Sequence, residues 1–429
     1  MIDIRLVRTE PDAVKAALAR KGVDAGEVDT VIRLDSEFRE ANQKQELVRA
    51  RVKELSKLVG AARKSGDTAT GDTLSNESRA LGDEQKELAR VAAEVEGRLR
   101  DALLVLPNLP APQAAEGLTD DDNPVVASGG PAVESYEEHQ RVPHWEIADQ
   151  LGLLDLERAA KLSGSMFPLF RGEGALLSRA LLQLFIERAT ADGTWEEIRP
   201  PTLVRTDAIT ASGHLPKFAD DAYQLERDDL WAIPTAEVPL TSLRRDEILA
   251  EAELPAKMFA YTPCYRREAG SAGKDTRGLL RVHEFDKVEL MAYTTPDSAQ
   301  TVFDEIMRRA EELCADLGFT YRKVEICVGA LGQSHAQSFD FEVYAPGCDQ
   351  WLEVSSVSWY SDYQARRANV RYRPEGGGSP AFVHTTNGSA LAVPRVWAAV
   401  VESNRQSDGT VAVPEVLQPY TKKKVLGSR

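Results

Sequence analysis

The stretch YTPCYRREAGSAGKDTRGLLRVHEFDKVEL, residues 261–290, decides how the chain is read. It predicts a strand over Lys257–Glu268, a glycine-rich loop over 269–280, and a second strand over Arg281–Met291. Residues two apart on a strand share a face, so Arg266 is paired with Glu268 and Phe285 with Glu289. A guanidinium suits a bidentate phosphate contact, a flat phenyl ring offers a base a stacking surface, and Glu289 can hold an ammonium. The same four residues would equally serve as a ladder of cross-strand charge pairs on a solvated face.

Working outward, Ala175–Ala191 and Val302–Leu317 read as helices, FDFEVYAP and WLEVSSVSW as strands, and LAVPRVWAAVV as a buried helix. Antiparallel strands with scattered helices indicate an α+β domain. Neither G-x-G-x-x-G nor G-x-x-x-x-G-K-[ST] occurs, so nucleotide chemistry would not use those loops. In WLEVSSVS, Glu353 and Ser356 offer oxygen ligands for Mg²⁺. Ideal pleating would set them on opposite faces, so joint coordination needs a bulge or a strand end. Arg395 sits in an apolar helix that tolerates Pro394 only in its first turn, and a buried guanidinium needs an anion, if only a neighbouring carboxylate. In IPTAEVPL, two prolines fix an ordered turn around Thr235 and Glu237. The GGG at 376–378 is a loop.

Toward the N-terminus the pattern changes. Leu34, Phe38, Ala41, Gln45, Val48, Val52, Leu55 and Val59 follow alternating steps of four and three. After a break at 60–72 the rhythm restarts at Leu74 and runs to Leu106, which predicts an antiparallel helical hairpin over about residues 28–106. The first arm carries nine basic side chains, Arg33 to Lys64, against six acidic ones, a local excess that points to a polyanionic partner. A plain dimerisation rod is the alternative. The turn-rich stretch 107–131 reads as a linker, which leaves 1–106 as an N-terminal domain and 132–429 as the catalytic one.

A chain of 429 residues with 42% hydrophobic and 28% charged residues is a multidomain globular protein. Its 52 Lys and Arg against 68 Asp and Glu, net charge −16, argue against polyanion binding over the whole surface. No apolar run approaches the roughly 20 residues that span a bilayer. The start, MIDIRLVRTEPDAVKAAL, reads as a strand followed by a helix rather than a signal peptide, so the expected address is the cytoplasm with no membrane contact. Cys264, Cys314, Cys327 and Cys348 stand far apart without C-x-x-C, which predicts reduced packing residues and no zinc.

Several motifs together carry a resemblance. PPTLV after GTWEEIR, the YRRE strand with its loop and HEF, and GSALAVPR look like the three signature motifs of class II aminoacyl-tRNA synthetases. PTAEVPL, EAGSAGKDTRG, HEFDKVE, SDYQARR, HTTNGS and PEVLQPY, with LLVLPNLPAP before them, are similar to bacterial seryl-tRNA synthetases over essentially the whole chain. The resemblance implies a coiled-coil hairpin that grips the long variable arm of tRNA(Ser), on an antiparallel class II domain flanked by helices that forms a homodimer. It implies ATP-dependent activation of L-serine to seryl-adenylate and transfer to the 3′ end of tRNA(Ser), with tRNA(Sec) as a further acceptor. By matched position, Arg266 and Arg395 are catalytic and contact the α- and γ-phosphates. Arg267, Glu268, Val282, Phe285, Glu353, Val354, Ser355 and Ser356 complete the ATP site, with Glu268 and Phe285 holding adenine. Glu353 and Ser356 hold Mg²⁺. Thr235, Ala236, Glu237, Glu289, Asn387 and Ser389 line the serine pocket, and the 269–280 loop changes conformation between the two steps.

Four positions depart from the family pattern. Met166 stands where arginine is usual, Val357 and Trp359 where Cys and Asn are common, and Pro394 where Gly is frequent. These departures keep open a specialised second seryl-tRNA synthetase, for inhibitor resistance or for feeding seryl-tRNA to a biosynthetic pathway, with altered tolerance of serine-adenylate mimics. Still other readings are a carrier-protein ligase or a non-catalytic binder, against which stand the intact hairpin and the presence of Arg266, Glu353 and Arg395.

Overall fold

A computed structural model describes residues 1–269 and 277–427, so most of the loop expected to change conformation lies outside the described residues. The chain forms two compact units, Ile2–Leu106 and Pro107–Arg429, the latter with Met1.

The first unit holds α1 (Ile4–Thr9), α2 (Pro11–Ala19), α3 (Ala25–Lys64) and α4 (Thr68–Val105). The strand expected at the start is therefore a helix. The Asp3 carboxylate caps it by accepting the Arg5 N–H at 2.8 Å. The cap satisfies one of the N–H groups that the first helical turn leaves without an intrahelical partner. In α3 and α4 the heptad positions named above are buried or half-buried, and the intervening positions are mostly exposed. Arg51 pairs with Glu77 at 3.0 Å and Arg98 with Glu37 at 3.7 Å, as an antiparallel register requires. The break is tighter than 60–72, because the helices continue through Lys64 and resume at Thr68. Gly66 at φ +79° turns the chain, and the Asp67 carboxylate caps α4. At 1.5 Å per residue, α3 is roughly 60 Å long.

The second unit is built on an eight-stranded sheet, with β1 (Val125–Gly129), β2 (Glu196–Glu197), β3 (Ala256–Tyr265), β4 (Glu284–Thr294), β5 (Tyr321–Glu325), β6 (Gln337–Ala345), β7 (Gln350–Ser361) and β8 (His384–Ala392). Their order is β1-β5-β6-β7-β8-β4-β3-β2, antiparallel throughout except for the short β2–β3 pair. Residues 107–131 are not a free linker. The Asn108 amide donates to the Ser334 and Tyr360 carbonyls at 2.9 and 2.8 Å, Ala111 and Ala114 pack with Val328 and Leu331, and β1 forms the sheet edge. Prolines and glycines here shape a strap rather than release one.

Helices α5 (His144–Leu151), α6 (Glu173–Thr190), α7 (Glu237–Ser242), α8 (Pro296–Asp316) and α9 (Val393–Ser403) complete the elements used below. On β4, Val288, Leu290 and Ala292 enter the main core with Leu181 and Phe185 of α6, Phe303 and Ile306 of α8, and Trp397 of α9. The period of two turns Phe285, Lys287 and Glu289 to the other face. Gly388 on β8 is needed for this packing, since a Cβ there would lie 2.4 Å from Ile306 Cγ2 and 2.9 Å from Val357 Cγ2. Gly388→Ala is expected to destabilise the second unit by about 1–3 kcal/mol, read as a lowered denaturant midpoint at unchanged slope.

Candidate functional site

A cleft of about 710 Å³ opens on the sheet face that carries Phe285 and Glu289. Of the sequence-predicted residues it gathers Thr235, Glu237, Arg266, Glu268, Val282, Phe285, Glu289, Glu353, Val354, Ser355, Ser356, Asn387, Ser389 and Arg395. Arg267 is exposed and Ala236 is buried before α7, and neither lines the cleft.

The positions follow from local structure. β3 ends at Tyr265, so the expected strand face shared by Arg266 and Glu268 is not what brings them together. Arg266 is instead held where its N–H reaches the His283 carbonyl at 2.9 Å, and its guanidinium carbon lies 5.0 Å from the Phe285 ring centre. Glu268 adopts a left-handed φ of +53° and ion-pairs with Arg281. On β4, Glu289 faces Ser389 of β8 across the ladder and Ala260 of β3 on its other side. Its carboxylate accepts from Thr235 Oγ1 at 3.3 Å and ion-pairs with Lys287, two residues along the same face. Burial pushes the Glu289 carboxyl up, and the Lys287 ammonium opposes that. Glu237, also pushed up by burial, accepts from the Gln364 side chain at 2.6 Å, and Asn387 accepts from the Tyr360 hydroxyl at 2.9 Å. Two buried carboxylates, one buried ammonium and several neutral donors form a pocket suited to a small zwitterion bearing a hydroxyl.

At the other end, β6 and β7 are opposed with Phe341 on Ser355 and Glu342 on Glu353, which leaves Val354 as the extra residue of a β-bulge. The bulge removes the parity conflict between Glu353 and Ser356. Asp340 of β6 lies opposite Ser356, and its Oδ1 is buried without a hydrogen-bond partner. Burial, reinforced by Glu353, pushes its carboxyl well up. An orphaned buried oxygen beside a second carboxylate and a hydroxyl is a hard-cation donor set, so the residues fit Mg²⁺. Arg395, in the first turn of α9, donates to the Leu280 carbonyl at 3.0 Å and the Glu353 carbonyl at 2.9 Å, with the Glu353 carboxylate 3.7 Å away.

Sequence reading missed Lys287, Tyr360, Arg281 and Asp340. Lys287 was within reach, since it shares strand parity with Glu289. The others depend on which distant segments meet. Of the departures, Val357 belongs to the main core, Trp359 packs beneath the 107–131 strap, and Met166 uses its carbonyl to accept the His283 N–H at 2.8 Å. Those three do not line the cleft, whereas Pro394 does. Cys264, Cys314 and Cys327 are buried and Cys348 is half-buried. Among the described residues, no helix is long and apolar enough to cross a membrane.

Comparison with known proteins shows the family. Residues 221–404 match the family described as "tRNA synthetase class II core domain (G, H, P, S and T)", and residues 1–110 match the "Seryl-tRNA synthetase N-terminal domain". The chain is 45% identical over 424 residues to a serine–tRNA ligase of Chloroflexus aurantiacus, covering 98% of both sequences. It is 42% identical over 434 residues to one of Synechococcus elongatus, covering 100% of both. The crystal structure of seryl-tRNA synthetase from Pyrococcus horikoshii complexed with ATP superposes with a TM-score of 0.90 at 34% identity, covering 99% of both chains. A Giardia lamblia prolyl-tRNA synthetase, at 16% identity and a TM-score of 0.56, shares the fold. With a coiled-coil hairpin, a class II antiparallel sheet and full-length relatives of one kind, the chain belongs to the seryl-tRNA synthetase family of class II aminoacyl-tRNA synthetases.

Proposed function

We propose that the chain activates L-serine with ATP and Mg²⁺ and transfers the seryl group to the 3′ end of tRNA(Ser), working as a homodimer in the cytoplasm. The observation that supports this most is the single cleft joining the Arg266–Phe285 pair, the Glu289–Lys287–Glu237 pocket and Arg395. The serine carboxylate attacks the α-phosphorus, and the bond from that phosphorus to the bridging oxygen of pyrophosphate breaks. Arg266 stabilises charge on the α-phosphate oxygens, and Arg395 binds the γ-phosphate that leaves in pyrophosphate. Phe285 and Glu268 take the adenine. Glu353 and Ser356, with Asp340 beside them, would hold Mg²⁺, which would supply further charge neutralisation at the phosphates. The terminal ribose hydroxyl of the tRNA then attacks the mixed anhydride carbonyl, and AMP leaves.

Serine selection rests on the buried polar groups. Glu289 takes the ammonium in competition with Lys287, while Glu237, Asn387, Ser389 and Thr235 satisfy the hydroxyl in this reading. A substrate lacking that hydroxyl leaves buried groups unpaired and is rejected. Glu289→Gln is expected to raise the Michaelis constant for serine by about tenfold or more, with the constant for ATP little changed, because it removes the charge that meets the ammonium.

The basic side chains of α3 support the tRNA role. Arg49, Lys53 and Lys57 are exposed and spaced by four, so they share one helix face. Serine-dependent ATP–pyrophosphate exchange, followed by charging of tRNA(Ser) and tRNA(Sec) transcripts, tests the proposal. Exchange driven equally by alanine, or no charging of tRNA(Ser), would overturn it.

A further inference from the structure

His144, Cys348 and Glu402 form a cluster in the second unit, with their ligand atoms all within 4.8 Å of one another. Imidazole, thiol and carboxylate are the ligand types of a zinc site. The orientation of the imidazole argues for a different use. His144 Nε2 faces the Leu279 backbone N–H at 2.9 Å, and an amide can only donate, so Nε2 carries the lone pair and Nδ1 the proton. That proton goes to Glu402 Oε1 at 2.7 Å. A metal on Nδ1 would need the proton on Nε2, aimed at the Leu279 N–H, the reverse of the second shell that supports a metal-bound histidine.

Glu402 is in turn fully engaged. Its Oε1 accepts the His144 backbone N–H at 2.9 Å and the Cys348 thiol at 3.0 Å, and its Oε2 accepts the Gly347 and Cys348 N–H groups at 2.9 and 3.2 Å. Both His144 and Glu402 are fully buried. Gly278 allows the close approach, since a Cβ there would lie 2.2 Å from His144 Nε2. The residue after Leu279 presents the carbonyl that holds Arg395 Nε.

We infer that His144 is a positioning residue for ATP: its imidazole bridges the fixed Glu402 carboxylate and the Leu279 N–H, and so sets the Leu280 carbonyl that orients Arg395. The inference rests on the γ-phosphate role proposed for Arg395. Only a group that accepts at one end and donates at the other can do this, which neutral histidine does and a glutamine amide can imitate.

The test uses the full chain with His144→Gln, His144→Leu and Gly278→Ala, the last disturbing the latch from the loop side if His144→Leu does not fold. Steady-state exchange is read together with hydrogen–deuterium exchange of the peptide containing Leu279. His144→Leu and Gly278→Ala are expected to raise the Michaelis constant for ATP about tenfold, to leave that for serine within about twofold, and to lose Leu279 protection. His144→Gln should stay within about threefold of wild type in all three. Unchanged ATP constants and protection in folded His144→Leu or Gly278→Ala would overturn the inference, as would equal losses for both substrates or a glutamine variant as impaired as leucine. A wild-type protein without serine-dependent exchange would refute the functional reading and with it the role in ATP binding, leaving Leu279 protection to decide whether the latch exists.

Discussion

Arg266→Ala is expected to lower serine-dependent ATP–pyrophosphate exchange by about 10²-fold or more, mainly in the turnover number. Charge on the α-phosphate oxygens grows as the serine oxygen arrives, so a guanidinium aimed there stabilises the transition state more than bound ATP. Three contacts hold the residue in place. Its backbone N–H is fixed by His283, its Nε lies 3.4 Å from the Pro234 carbonyl, and its guanidinium stacks on Phe285. Arg266→Lys should recover only part of the loss, because an ammonium cannot reproduce a planar two-point contact. Exchange within a few-fold of wild type in the alanine variant would remove Arg266 from the chemistry.

Replacing residues 44–86 by a short Gly-Ser turn should leave exchange within about threefold of wild type while aminoacylation of tRNA(Ser) falls by about 10²-fold or more. The cut removes the distal hairpin only. Leu34 and Leu99 are buried and lie outside it, so α1, α2 and the hairpin base keep their packing. Substituting Lys44, Arg49, Lys53 and Lys57 by Gln in the full chain should flatten the salt dependence of tRNA binding, as expected when phosphate contacts are lost. Full charging by the shortened protein would reduce the hairpin to a structural rod.

The two units differ in how far sequence alone determines them. In the hairpin the apolar pattern repeats every seven residues, so the spacing of Leu, Val and Ala predicts the two helices and the face each buries, and the short break between them points to antiparallel pairing. Only the turn is misjudged, because glycines and threonines at 60–72 weaken helix propensity without overcoming packing against the other arm. The strands of the catalytic sheet are legible for a similar reason, since alternation at Phe285, Lys287 and Glu289 states which face each side chain takes.

What spacing cannot supply is which distant segments meet. Alternation in the first residues suggests a strand, yet Ile4–Thr9 is a helix capped by Asp3. The turn chemistry of 107–131 suggests a linker, yet Asn108 finds two carbonyls more than 220 residues away and binds the strap down. Glu353 and Ser356 are recognisable as ligand types, but it is the bulge at Val354 that brings them to one face, and a bulge is set by pairing with β6. Asp340 and the His144–Glu402 latch are invisible for the same reason: their meaning comes from burial beside groups far along the chain. Sequence thus determined the periodic elements and the chemical types at the cleft, because both are local properties of side chains. Tertiary structure alone decided their convergence, their desolvation and the buried partners that orient them, because those depend on contacts that no local pattern encodes.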